Sequence, residues 1–411
     1  MIEFVKRNWL FLLPLVVLAG YYTFQNALGF LFYPTDIVLK FCAALILSIA
    51  SYILAYRFIP VDWAEAFSLG RPEPHRLERL CLLLIAAFGA VMLVASLTTN
   101  AVPLIEAVKG ASASDLAGHR NDFLRTRTGA GQVLNYAFAI FSQGLLPFAT
   151  TYAFWTRAPW RWVALGIFTA GVFLTLSKAA FLCVAAPLIA LFLMQGRYRA
   201  AGAAMLAFVA SLAVMYVLAS GLIGAWEKKS RNEPVAAKQV EMPGDVPISH
   251  NVFGEKKSPA LLVANRIVWI PYVTAIDWFQ YQKERLNGSY VLGTSIRPIA
   301  FMLGKERLSL ETKVADFEWG DASGNTSNAV FFADAWLNWG PLGVILYSAL
   351  FALTIKLIAT SGYPPLIAAS VLPVWIACFS ALPPVYFSAG LGFLLLFALL
   401  VRDKQTTAKL T

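Results

Sequence analysis

The run RLCLLLIAAFGAVMLVASLT, residues 79–98, decides the fold class: beyond Arg79 it carries no charged side chain over a length that matches the hydrocarbon thickness of a bilayer. Nine further stretches share its character, near 9–30, 36–56, 132–155, 162–178, 179–195, 200–225, 340–358, 365–382 and 384–401. Composition agrees, with 59% hydrophobic and 14% charged residues against roughly 25% charged in a soluble domain. The reading is an all-α, polytopic integral membrane protein with about ten transmembrane helices. Trp9, Trp155, Trp162 and Trp226 fall near the edges of these stretches, where amphipathic rings favour the interface.

Short-loop charge sets the orientation. Lys6 and Arg7, then Arg57, Arg71, Arg76 and Arg79, then Arg157 and Arg161, then Arg197 and Arg199, and finally Arg402, Lys404 and Lys409 all fall on one side of such a ten-span chain. That side reads as the cytoplasm and holds both termini. The expected organisation is seven spans over 1–225 with a periplasmic loop near 99–131, a periplasmic loop domain and re-entry segment over 226–339, and three spans with a cytoplasmic tail over 340–411. Most of the net charge of +10 lies in the cytoplasmic connections, so topology explains it and nucleic acid is not an expected partner. Cys42, Cys81, Cys183 and Cys378 all fall within spans and offer no metal or disulfide spacing. The first apolar segment follows Lys6-Arg7 as a signal peptide would, yet it runs for about twenty residues without a small-x-small cleavage site and reads as a span. No fixed-period repeat or midplane row of carboxylates supports a transporter.

The polar insert, roughly Glu227 to Asn328, carries the side chains that chemistry requires. Residues 227–257 are rich in turn signals and read as a loop. Over 260–283, Leu262, Arg266, Trp269, Tyr272, Val273, Ile276 and Phe279 recur at helical spacing, which predicts an amphipathic helix in the outer interface, broken at Pro271. A turn at Arg297-Pro298, a second amphipathic piece over 299–315 and a glycine-containing run over 319–328 follow.

The next segment is Asn325-Thr326-Ser327-Asn328, then AVFFA, then Asp334-Ala335-Trp336-Leu337-Asn338-Trp339-Gly340-Pro341-Leu342-Gly343. It resembles the corresponding segment of the bacterial O-antigen polymerases, membrane enzymes that join lipid-linked oligosaccharide repeat units. The late outer loop, Ser177-Lys178 after a span, and Arg127 with Gly129 and Gly131 fit the same superfamily. The related O-antigen ligases carry a His-Asn pair nine residues before a Gly-x-x-Gly, where this chain has Ala329 and Val330. The missing histidine favours a polymerase over a ligase and leaves the general base open.

The resemblance implies a metal-independent, inverting glycosyltransferase of the inner membrane with no cofactor. Its substrates would be undecaprenyl-pyrophosphate-linked oligosaccharides, with membrane lipids and a chain-length regulator as partners. A pyrophosphate leaving group needs cations, and arginine can hold phosphate oxygens bidentately. Arg266, Arg297, Lys178 and Arg127 are the candidates. Each has a structural alternative: headgroup anchor for Arg266, turn brace for Arg297, snorkelling end for Lys178, and a solvated basic run with Arg120 and Arg125 for Arg127. Asp334, an acid in an apolar segment, is the candidate base, or else it pairs with a nearby Lys or Arg. Asn328 could orient a sugar or cap the following helix, and Trp269 and Tyr272 could stack on pyranose rings or anchor the interface. Glu318, Asp316 and His250 are weaker bases. An O-antigen ligase, a polysaccharide transporter or flippase, and a non-catalytic scaffold are the competing functions.

Overall fold

The computed structural model describes residues 2–70, 73–177, 180–219, 259–319 and 326–401, and every regular element among them is helical. Among the described residues, six helices are long and apolar enough to cross a membrane: Asn8–Gly29, Thr35–Phe58, Pro74–Leu97, Gln132–Trp155, Tyr198–Ala219 and Phe331–Ala359. Arg161–Leu174, Ala180–Met194, Pro364–Ala377 and Leu391–Leu400 occupy the remaining apolar stretches but are shorter. At 1.5 Å per residue, the 14 residues of Arg161–Leu174 extend about 21 Å, short of a hydrocarbon core of roughly 30 Å. The expected loop over 227–257, with His250, lies outside the described residues, as do Lys178 and residues 320–325.

Two compact units interleave along the chain. The first comprises Met1–Trp63, Val240–Leu357 and Val374–Val385; the second comprises Ala64–Gln239, Ile358–Pro373 and Tyr386–Thr411.

In the first unit, Phe41 of the helix Thr35–Phe58 joins four elements. Its ring centroid lies 5.3 Å from Tyr272, 5.5 Å from Phe279, 5.3 Å from Phe332 and 6.1 Å from Tyr22. Buried aromatic pairs of this kind contribute about 0.5–1.5 kcal/mol each beyond area burial. The helix expected over 260–283 is two helices, Pro259–Val268 and Ile270–Arg285, broken at Trp269. Pro271 has no N–H to continue the first helix. Tyr272 N–H turns to the Trp269 carbonyl, and the Val268 carbonyl instead accepts from Tyr21 Oη at 2.8 Å and Gln25 Nε2 at 2.6 Å.

The second of these helices does not show the one-sided burial of an interfacial helix. Tyr272, Val273, Ile276, Trp278, Phe279 and Tyr281 are buried, and so are the polar Asp277 and Gln282 that the stripe left outside. The piece expected over 299–315 is two short helices, Arg297–Met302 and Leu310–Trp319. The span expected to begin at 340 begins at Phe331 and is kinked at Trp339 and Gly340.

In the second unit, Phe88 packs against Phe138, Phe141 and Phe168 with centroids 6.0–6.2 Å apart. A π-helical turn, Phe141–Leu145, brings Gly144 against Gly390, where a Cβ on Gly144 would lie 2.8 Å from the Gly390 Cα. Small residues of this kind let membrane helices approach backbone to backbone, where packing rather than water exclusion holds helices together.

Candidate functional site

The break in Phe331–Ala359 organises the polar groups of the first unit. Pro341 cannot donate to the Leu337 carbonyl, and Gly340, at φ 63° and ψ −147°, takes the chain out of helical geometry. The two carbonyls freed by the break are met by a turn in which Leu292 and Gly293 have positive φ: Val291 N–H donates to Leu337 O and Leu292 N–H to Asn338 O, both at 2.9 Å. The Gly-x-x-Gly of this segment has a steric cause. A Cβ on Gly340 would lie 2.7 Å from Tyr290 Cζ, and one on Gly343 would collide with the Ala335 carbonyl oxygen across the kink.

Asn338 is fully buried at this break and links three segments. Its Oδ1 accepts from Gly293 N–H at 3.1 Å and Ser295 Oγ at 2.9 Å. Its Nδ2 donates to Asp334 Oδ1 at 3.0 Å and to the Asp334 carbonyl at 2.9 Å. Asp334 is 3% exposed, and its Oδ2 has no hydrogen-bond partner among the described residues. The Tyr347 hydroxyl, near enough to Asp334 to interact electrostatically, and the Trp336 Nε1–H are likewise unpartnered. Unmade hydrogen bonds on buried groups cost about 1–3 kcal/mol each, more for a charge. Three of them fall within Asp334–Tyr347, and each calls for an explanation.

Two cations border this segment. Arg307 Nε donates to the Ser295 carbonyl at 3.0 Å, and its Nη2 lies 3.7 Å from Glu311 Oε2. Lys40 Nζ donates to Gln282 Oε1 at 2.7 Å and sits 5.7 Å from the Trp336 ring centroid. A second buried acidic group lies in the same unit: Ser327 Oγ donates to Glu318 Oε1 at 2.7 Å, and Trp278 Nε1 donates to Ser327 Oγ at 3.3 Å. Burial first, and the Asp277 carboxylate second, push the Tyr33 phenol well above its ordinary range, so Tyr33 stays protonated beside that acid.

The expected site residues separate accordingly. Asp334 sits at the break, paired with Asn338 rather than with a Lys or Arg. Arg266 and Arg297 are exposed and unpaired among the described residues. Asn328 is exposed and does not cap the next helix, whose first N–H groups fold back onto the Val330 carbonyl. Trp269 and Tyr272 are 2% and 0% exposed, packed on each other and on Phe32, Tyr33 and Phe41, so neither ring presents a free face. Tyr272 Oη also donates to Asn26 Oδ1 at 3.1 Å. Arg127, in the second unit, donates three hydrogen bonds: Nε to Phe123 O at 2.7 Å, Nη1 to Thr98 Oγ1 at 2.6 Å and Nη2 to Ala95 O at 2.8 Å. It closes the C-terminal turn of Pro74–Leu97.

Asn338, Ser295, Arg307 and Lys40 were not among the expected site residues. Asp334 and Asn338 stand four apart on an apolar helix, a spacing that puts both on one face. Among the described residues, no group of three or more His, Cys, Asp or Glu is placed to hold a metal ion. The chain is thus an all-helical protein of the membrane-embedded class. Compared with protein-family models, curated proteins and solved structures, it matches none.

Proposed function

We propose that this protein is a lipid-linked oligosaccharide polymerase, a glycosyltransferase acting without a metal at the periplasmic face of a bacterial inner membrane. It transfers the growing glycan from undecaprenyl pyrophosphate to the non-reducing sugar of an incoming lipid-linked repeat unit. In this reading all ten apolar segments lie in the membrane, both termini are cytoplasmic and the insert faces outward. A chain-length regulator is a partner.

The observation that carries the reading is the Asp334 carboxylate, buried on an apolar helix with one oxygen fixed by Asn338 and the other unpartnered among the described residues. The acceptor hydroxyl oxygen attacks the anomeric carbon while the bond from that carbon to the pyrophosphate oxygen breaks. Its electron pair leaves with the pyrophosphate, and Asp334 Oδ2 takes the hydroxyl proton. A positioned base contributes about 10²–10⁴-fold to such a step. Arg266 and Arg297, exposed and unpaired among the described residues, are the cations for the leaving group.

The test is surface-glycan banding after deletion of the gene and restoration with wild type, Arg266→Ala or Arg297→Ala at matched expression. Collapse of the ladder to a single repeat, restored by wild type and not by either variant, supports the reading. A bare acceptor with no repeat attached points to ligation or export, and an unchanged ladder on deletion ends the assignment.

A further inference from the structure

A cavity of about 680 Å³ lies within the second unit, among the helices Leu146–Trp155, Arg161–Leu174, Ala180–Met194 and Tyr198–Ala219. That volume falls in the range of sites that enclose a small molecule. Its walls are apolar, with Leu188 and Phe192 facing Ala200, Ala204 and Ala207, and three arginines, Arg157, Arg161 and Arg197, complete the lining. None of the three forms an ion pair with an acidic side chain among the described residues.

Arg157 and Arg197 are exposed and Arg161 is half-buried. Arg161 Nη1 donates to the Arg157 carbonyl at 3.0 Å, and its guanidinium lies 5.9 Å from the Trp162 ring centroid. The Arg197 guanidinium lies 5.1 Å from the Phe192 centroid. Arg157 has φ 56°, a left-handed conformation in which any side chain costs roughly 1 kcal/mol or more relative to glycine. The helix Tyr198–Ala219 buries only Ala201 and Met215 and leaves Met205, Leu206, Val209 and Val214 exposed. The apolar wall thus continues onto a surface suited to hydrocarbon.

We propose that this cavity binds an anionic phospholipid, with one acyl chain along the alanine face and the phosphodiester between Arg157, Arg161 and Arg197. Three cations over an apolar channel fit a headgroup whose only charge is negative. A zwitterionic lipid would bring its ammonium against them. The proposal is independent of the polymerase reading, since no residue of the Asp334 segment takes part.

Purified full-length protein in neutral detergent, titrated with dioleoyl phosphatidylglycerol or dioleoyl phosphatidylcholine and read by native mass spectrometry, tests it. Phosphatidylglycerol is expected to bind on the order of a hundredfold more tightly, and Arg157→Gln/Arg161→Gln/Arg197→Gln to bring it down to the phosphatidylcholine level. Arg157→Gly is expected to weaken phosphatidylglycerol binding about fivefold without lowering the melting temperature, which separates binding from folding. Ala204→Trp, which fills the cavity, is expected to weaken both lipids. Equal affinity for the two lipids, selectivity that survives the triple substitution, or unchanged binding in Ala204→Trp would overturn the proposal. So would displacement by glycerol 3-phosphate as effective as that by intact lipid, which would indicate a site for a free phosphate.

Discussion

Asn338 spends its whole side chain on its neighbours, with two donations to Asp334 and two acceptances from residues 293–295. Replacing it by leucine keeps the volume and strands Gly293 N–H, Ser295 Oγ and Asp334 Oδ1 in a dry environment. Asn338→Leu should therefore lower stability by about 2–4 kcal/mol, read as a reduced melting temperature in detergent. Arg127→Ala should also destabilise, by about 1–3 kcal/mol, since it removes three hydrogen bonds that close a helix end. If Arg127 instead served the glycan substrate, the variant would melt as wild type does and lose substrate binding. At this scale the sequence announced Asp334, because an acid in an apolar run is conspicuous. It could not announce Arg307 or Lys40, whose neighbours lie far along the chain.

The helix Phe331–Ala359 is shaped by Gly340, Pro341 and Gly343, and the two glycines answer different constraints. Gly340 combines a positive φ with the Tyr290 ring, a side chain that can move, whereas Gly343 faces the Ala335 backbone, which cannot. Gly343→Ala should thus be the more damaging substitution. Gly340→Ala/Tyr290→Ala should recover part of the loss of Gly340→Ala while leaving the left-handed backbone cost of roughly 1 kcal/mol. Chemical denaturation of the three variants measures this, and full recovery in the double variant would show that φ contributes nothing. The Gly-x-x-Gly was legible as a landmark, and Pro341 as an interruption. The break itself was misplaced as the start of a span, because periodicity does not distinguish one kinked helix from a loop followed by a helix. The helix Ile270–Arg285 misled in another way: its apolar stripe is real, but Asp277 and Gln282 are buried too, and only tertiary neighbours reveal that.

For the molecule as a whole, composition located the apolar stretches that carry these helices, since length and absence of charge are properties of a segment by itself. The interleaving of the two units and the shortness of four helices depend on what each segment meets, and pattern does not contain that. The ten-span arrangement puts His75 and Ser114 on opposite sides of the membrane, with the helix Pro74–Leu97 between them. In cells, Ser114→Cys should react with a membrane-impermeant maleimide from outside and His75→Cys only after permeabilisation. Cys81, Cys183 and Cys378 are buried, and Cys42, which is partly exposed, is first replaced by serine in both variants. Labelling of both from the same side would remove that span and reverse the side assigned to the insert.

The central claim is that Asp334 takes a proton during glycan transfer, and the direct measurement is chain extension by purified, reconstituted protein supplied with lipid-linked repeat units. Asp334→Asn keeps the shape and a hydrogen-bonding partner for Asn338 but cannot accept the proton at neutral pH. The account predicts a loss of about a hundredfold or more in extension rate, with the melting temperature and the retention of lipid-linked substrate close to wild type. Extension by Asp334→Asn at the wild-type rate would contradict it.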